Sequence, residues 1–144
     1  MKTFFSLLVL SLLLALTISG TVATVINKNT GRATEKSMFA FQVADGVSEA
    51  FLKRIYKDSD ATIDDMVTQM KFYIDDDTLS CTDGVVSGDI AAGYGAFTVT
   101  FLKNDNSAIA CSDPGWRDEL VHIISKGGFA GTTRAIDIGI KPKP

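Results

Sequence analysis

Residues 111–127 run Cys111-Ser112-Asp113-Pro114-Gly115-Trp116-Arg117-Asp118-Glu119-Leu120-Val121-His122-Ile123-Ile124-Ser125-Lys126-Gly127. Asp113 stands where an N-cap carboxylate accepts from the free amides of a first helical turn. Pro114 follows at the first helical position, where a missing N–H costs nothing. Asp118 and Glu119 suit the N-terminal half, Lys126 the last turn, and Gly127 a left-handed cap. Trp116, Leu120, Ile123, Ile124 and Gly127 recur at i, i+4, i+7, i+8 and i+11, an apolar helical stripe. Downstream, residues 135–140 alternate as Ala-Ile-Asp-Ile-Gly-Ile. The pattern predicts helix, turn and strand at the centre of one small domain.

Moving upstream, Phe97, Val99 and Phe101 alternate with Thr98 and Thr100, which predicts a strand with one buried face. Asn104-Asp105-Asn106 makes a turn, and residues 107–111 return as the second arm of a hairpin. Residues 78–95 carry Gly84, Gly88, Gly93 and Gly95; they predict either a short strand, at 85–86 or 89–92, or a long loop. Thr62-x-x-Asp65 is a capping-box variant opening a helix with Ile63, Met66, Val67, Met70, Tyr73 and Ile74 on one face. Asp75-Asp76-Asp77 ends it. Phe39, Phe41 and Val43 alternate within 38–44, predicting a strand that Asp45-Gly46 breaks. Val47, Phe51 and Ile55 then predict a helix over 47–57. A glycine-rich loop at 127–131 leads to a last strand, 133–140, and an extended tail, Lys141-Pro142-Lys143-Pro144.

The order is β-α-α-β-β-α-β, with one apolar stripe per helix and half-polar strands. It predicts an α+β fold with helices on one face of an antiparallel sheet. Two split β-α-β units of this kind make a ferredoxin-like α/β sandwich. Trp116, Leu120, Ile124, Met66, Met70, Phe39, Phe41, Phe97, Val99, Phe101 and Ile138 are expected to share its core.

Lys2 precedes an apolar run from 4 to 18, and Thr21-Val22-Ala23 places small residues at −3 and −1. This predicts a secretory signal over 1–23. The rival is a signal anchor extending to Ile26, about the ~20 residues that a bilayer needs. A flexible tail or short pro-segment over 24–36 and a single domain over 37–144 follow. No membrane span is expected once the signal is removed.

The chain has 144 residues and a net charge of −3. Lys2 is the one charge in 1–23, so the remainder carries −4. The acids cluster and the bases scatter, which argues against nucleic acid or anionic membrane as partner. In an oxidising compartment the two cysteines, Cys81 and Cys111, most simply bond to each other. That closes a loop of roughly 30 residues, worth ~3–4 kcal/mol by chain entropy.

Few residues invite chemistry. His122 is the only histidine, and a helix would place it opposite the apolar stripe. Ser87 and Ser112 are available nucleophiles, but neither sits in a G-x-S-x-G elbow, so no catalytic residue is assigned. Asp58-x-Asp60-x-Thr62 begins like a calcium loop, yet Ile63 replaces the glycine and Gln69 the bidentate glutamate. No metal and no cofactor are expected. The 127–131 loop follows a helix rather than preceding one and lacks a P-loop lysine, so a phosphate cradle is not expected. Lys53-Arg54 is a dibasic pair of the type that processing proteases cut. The glycine-rich segments 84–95 and 127–131, with Gly128, Phe129 and Gly131, are expected to form a recognition surface.

The secretory signal, the β-α-β-β-α-β order, the Lys53-Arg54 pair and a disulfide at Cys111 beside a helix start resemble small secreted fungal α/β-sandwich proteins. These are the killer-toxin and killer-toxin-like effector group. The resemblance implies a secreted, non-catalytic protein acting on a protein or cell-surface target of another cell. The same element order resembles subtilisin-propeptide-like inhibitors, in which a C-terminal strand or tail blocks a protease; residues 141–144 would serve there. A small secreted hydrolase is the third expectation.

Overall fold

Ala40, Ala44, Val47, Phe51 and Ile55 recur at intervals of four, three, four and four, and all five are buried. That is a helical seam. The computed structural model describes residues 2–74, 78–90 and 95–140, with side chains for 26–71, 78–90 and 95–140. In it these positions belong to α1 (Lys2–Lys57). The strand predicted over 38–44 is therefore helix. The alternation of Phe39, Phe41 and Val43 misled because the buried positions are the alanines between them, while Phe41 is 49% exposed. Gly46 faces open space and does not break the helix.

The chain divides into two compact units, Met1–Glu35 and Lys36–Pro144. In the first, residues 26–35 are helical and exposed. The predicted signal, 1–23, lies outside the described side chains. No helix among the described residues is long and apolar enough to cross a membrane.

In the second unit, α2 (Ile63–Ile74) begins at the predicted capping box. Asp65 Oδ2 accepts from the Thr62 amide at 3.1 Å, and Thr62 Oγ1 accepts from the Asp65 amide at 3.1 Å. Asp75, Asp76 and Asp77 lie outside the described residues. Five strands follow: β1 (Ser80–Thr82), β2 (Val85–Asp89), β3 (Ala96–Leu102), β4 (His122–Phe129) and β5 (Thr132–Gly139). They form one sheet in the order β1-β2-β3-β4-β5, every neighbour antiparallel. The fold is α+β, as expected, but the sheet is a meander and the ferredoxin-like order of split β-α-β units does not occur.

Turn chemistry explains the difference. Asp83 and Gly84 have φ of 51° and 76°, and Ala130 and Gly131 have 47° and 81°. Two consecutive left-handed residues make the two-residue turn whose twist suits a hairpin. Such turns join β1 to β2 and β4 to β5, leaving no room for a crossover helix.

Residues 111–127 divide between two structures. Asp113 Oδ1 accepts from Gly115 N at 2.8 Å, closing a turn before a single helical turn, α3 (Trp116–Glu119). From His122 onward the chain is β4, not helix, and Gly127 is a strand residue. The helical signal ends at Leu120 because Ile123, Ser125 and Gly127 are then buried at a period of two. Ile124 consequently points to the opposite face, away from the core where it was expected. The return arm predicted over 107–111 shrinks to one bridge, Leu102 with Ala108, plus an Ile109 amide donating to the Phe101 carbonyl at 2.9 Å.

One face of the sheet packs on α1 and α2. Phe51, Phe101 and Trp116 stack edge to face at 5.8 and 5.9 Å, joining α1, β3 and α3. Met66, Met70, Phe97, Val99, Leu120 and Ile123 fill the space around them, with Ile138 packed at the margin. Cys81 and Cys111 are disulfide-bonded, Cα to Cα 6.0 Å, which ties β1 to the turn before α3.

Candidate functional site

Among the described residues, no helix of the second unit packs on the other face of the sheet. Pairing registers define its rows. Thr82, Val85, Thr100, Ile124 and Asp137 make one; Ser80, Ser87, Thr98, Lys126 and Ala135 make the next. Asp89, Ala96, Gly128 and Thr133 make the third. All are exposed or half-buried. In a pleated sheet alternate residues share a face, so this surface is a regular array of hydroxyls and small side chains, with Val85 and Ile124 as its larger apolar members and Asp89, Lys126 and Asp137 as its charged ones. Ser80 and Ser87 hydroxyls lie 3.5 Å apart across the first hairpin.

His122 stands at one end of this face. Its Nδ1 lies 3.0 Å from Asp137 Oδ1, with the side chains 20% and 59% exposed. The expected exposed helical histidine is instead a strand residue paired with a carboxylate on the neighbouring strand. Asp137 was missed because its alternating run, 135–140, gives no register by itself. Thr100 holds the matching diagonal place on β3, opposite Ile124. Ser87, the serine weighed as nucleophile, sits two strands and four residues away, roughly 16 Å by sheet spacing. Ser112 is exposed in the turn after Cys111.

The acidic segment 58–65 is put to structural use. Asp60 is buried and its carboxylate lies 4.0 Å from Arg117. Arg117 also donates to the carbonyls of Ile55 and Asp60 and lies over the Trp116 ring, 4.4 Å from its centroid. Asp58 pairs with Arg54, and Asp65 caps α2. Asp58, Asp60 and Asp65 border an open polar concavity of about 460 Å³ with Lys57, Ser59, Thr68 and Gln69. Their carboxylate oxygens do not converge. Among the described residues, the one trio with ligand atoms within 4.8 Å is Asp64, Cys81 and Cys111, and both sulfurs are spent on the disulfide.

Lys53 and Arg54 lie within α1, and Arg54 donates to Gln69 Oε1 on α2 at 3.0 Å. Proteases cut exposed, locally unfolded chain, so cleavage there requires α1 to unwind. Gly128 and Phe129 are the last residues of β4, and Gly131 is in the following turn, so 127–131 is strand and tight turn rather than loop. The Phe129 ring packs on Phe39 at 5.1 Å. Residues 141–144 and Gly93 lie outside the described residues.

Compared with protein-family models, characterised proteins and solved structures, the chain matches none.

Proposed function

We propose that this chain is an exported, non-catalytic binding protein that recognises a protein or cell-surface target, as the toxin-like and effector-like groups do. The observation that carries the proposal is the uncovered sheet face. A five-stranded sheet with a helical layer on one side gives a rigid support, and the hydroxyl array on its other side is fixed by the strand register. Rigid, regularly spaced polar groups lose little entropy on binding. The contact surface thus shifts from the glycine-rich segments to the open face of β1–β5.

Ser87→Lys together with Thr98→Glu tests this. The two positions are paired across β2 and β3, so the new charges attract each other and the sheet keeps its stability. Pull-down from host or competitor-cell extracts should lose its partner while the thermal midpoint stays put. Undiminished capture of the same partner by the variant would remove the open face from the proposal.

One observation favours a second reading, a small hydrolase. Asp137 holds His122 through Nδ1, which leaves Nε2 for a proton transfer, with Thr100 on the far diagonal. Turnover of a peptide, ester or glycan substrate that His122→Ala abolishes would put this reading in place of the first.

A further inference from the structure

The outer edge of the sheet at β5 is eight residues long and, among the described residues, is paired on one side only. Phe129 and Thr132 close the two-residue turn as a hydrogen-bonded pair, so Thr132, Arg134, Ile136 and Ile138 turn their backbone groups toward β4. Thr133, Ala135, Asp137 and Gly139 therefore aim theirs outward, and all four are exposed. Sheet proteins usually guard such an edge with proline, a bulge, a covering element or several charged side chains, lysine above all. β5 contains no proline, and its pairing with β4 runs without a bulge from Thr132 to Gly139. Its two charges, both exposed, are each engaged within the chain: Arg134 donates to Ser37 Oγ at 2.7 Å and Asp137 pairs with His122. The opposite edge, β1, is only three residues long.

We propose that β5 pairs antiparallel with β5 of a second copy of this chain, about a two-fold axis through Ile136, forming one ten-stranded sheet. Self-complementarity selects the partner and the register. A register centred on Arg134 or on Asp137 sets like charges directly opposite, which is unfavourable. One centred on Ala135 leaves Gly139 facing the partner's turn. Centring on Ile136 uses all four outward residues: Ala135 opposes Asp137, and Thr133 opposes Gly139. On the helical side Ile136 meets its own copy, and Arg134 meets Ile138. Phe41 lies one helical turn beyond Ser37, on the flank of α1 that meets β5, and is 49% exposed. The second copy would cover it. The two β4 strands would stand about 14 Å apart, wider than the 8–10 Å of packed helices, which leaves room for the segments of α1 that lie on them. The open face would double in width.

Sedimentation of protein produced from the 144-residue sequence should give a dimer. Ala135→Pro removes an outward N–H and should raise the dimer dissociation constant at least ~10-fold, with the circular dichroism unchanged. Ile136→Cys supplies a register test, because the described cysteines are already bonded to each other. Directly opposed, non-hydrogen-bonded strand residues lie about 4.5 Å apart at Cα, within disulfide range. Mild oxidation should crosslink Ile136→Cys to a covalent dimer and leave Asp137→Cys monomeric on a non-reducing gel. A monomer at every concentration, crosslinking through Ala135→Cys in place of Ile136→Cys, or association indifferent to Ala135→Pro overturns the proposal. The last result would point to the apolar N-terminal run or to another surface.

Discussion

Ser125 donates its hydroxyl to the carbonyl of Ala44 at 2.8 Å, in a bond between residues 81 apart in sequence and fully out of solvent. It pins α1 to β4. Two residues on, Gly127 meets the same helix: a Cβ there would lie 2.5 Å from the Ala44 amide nitrogen and closer still to the Ala40 carbonyl. The helix can approach this closely because Ala40, Ala44 and Gly127 present almost no side chain between the two backbones.

Gly127→Ala should accordingly cost about 1–3 kcal/mol by overpacking, and Ser125→Ala about 1 kcal/mol for a lost buried hydrogen bond. Because both act on one turn of α1, the double variant should cost less than the sum. Urea unfolding monitored at Trp116 checks all three. Unchanged midpoints would mean that α1 does not seat on β4.

Arg117 joins α3 to the end of α1 and to Asp60. Arg117→Ala strands the Asp60 carboxylate, whose side chain is 2% exposed, without its counter-charge. Leaving a buried polar group without its partner costs about 1–3 kcal/mol. Arg117→Lys should recover little, since an ammonium cannot reach two carbonyls and a ring face at once. Denaturant curves for the two variants should nearly coincide.

Cys81 and Cys111 can be replaced together by serine. Removing the cross-link should cost about 2–4 kcal/mol, mainly by freeing the unfolded chain. The Asp64 amide, which donates to the Cys111 carbonyl at 3.0 Å, should then exchange faster with solvent because the start of α2 loses its tether. Hydrogen exchange followed by mass spectrometry reads both effects.

Asp105 accepts from the hydroxyl and the amide of Ser107, and these bonds hold its carboxyl below the ordinary aspartate range. A depressed folded pKa contributes stability above the unfolded pKa, and that contribution is lost as pH falls through the folded value. Ser107→Ala should move the Asp105 titration upward, toward that of a free aspartate. The site is fully exposed, so the effect belongs in an NMR titration of the side chain rather than in a melting curve.

What the sequence determined alone was whatever local chemistry decides. Thr62 and Asp65 cap α2 because the two groups lie three residues apart in any helix. Phe97, Val99 and Phe101 alternate in a way that only a strand can bury on one side. Two cysteines allow one intramolecular bond, and it forms. Asp83-Gly84 is equally legible as a two-residue turn between Thr82 and Val85, and both residues have positive φ.

Tertiary structure decided the segments whose patterns support two periods. Residues 38–44 alternate like a strand through Phe39, Phe41 and Val43, yet Ala40 and Ala44 continue the spacing of Val47, Phe51 and Ile55. Which set is buried depended on Gly127 lying opposite, 83 residues beyond Ala44. Residues 120–129 carry a helical stripe that ends at Leu120 and a period of two that begins at Ile123. The unpaired edge of β3, needing a partner for its seven residues, selected the strand. The same pairing brought His122 beside Asp137 and sent Arg134 back to Ser37. Backbone hydrogen bonds are satisfied locally in a helix but only across strands in a sheet, so where a sequence allows both, the neighbouring strand makes the choice.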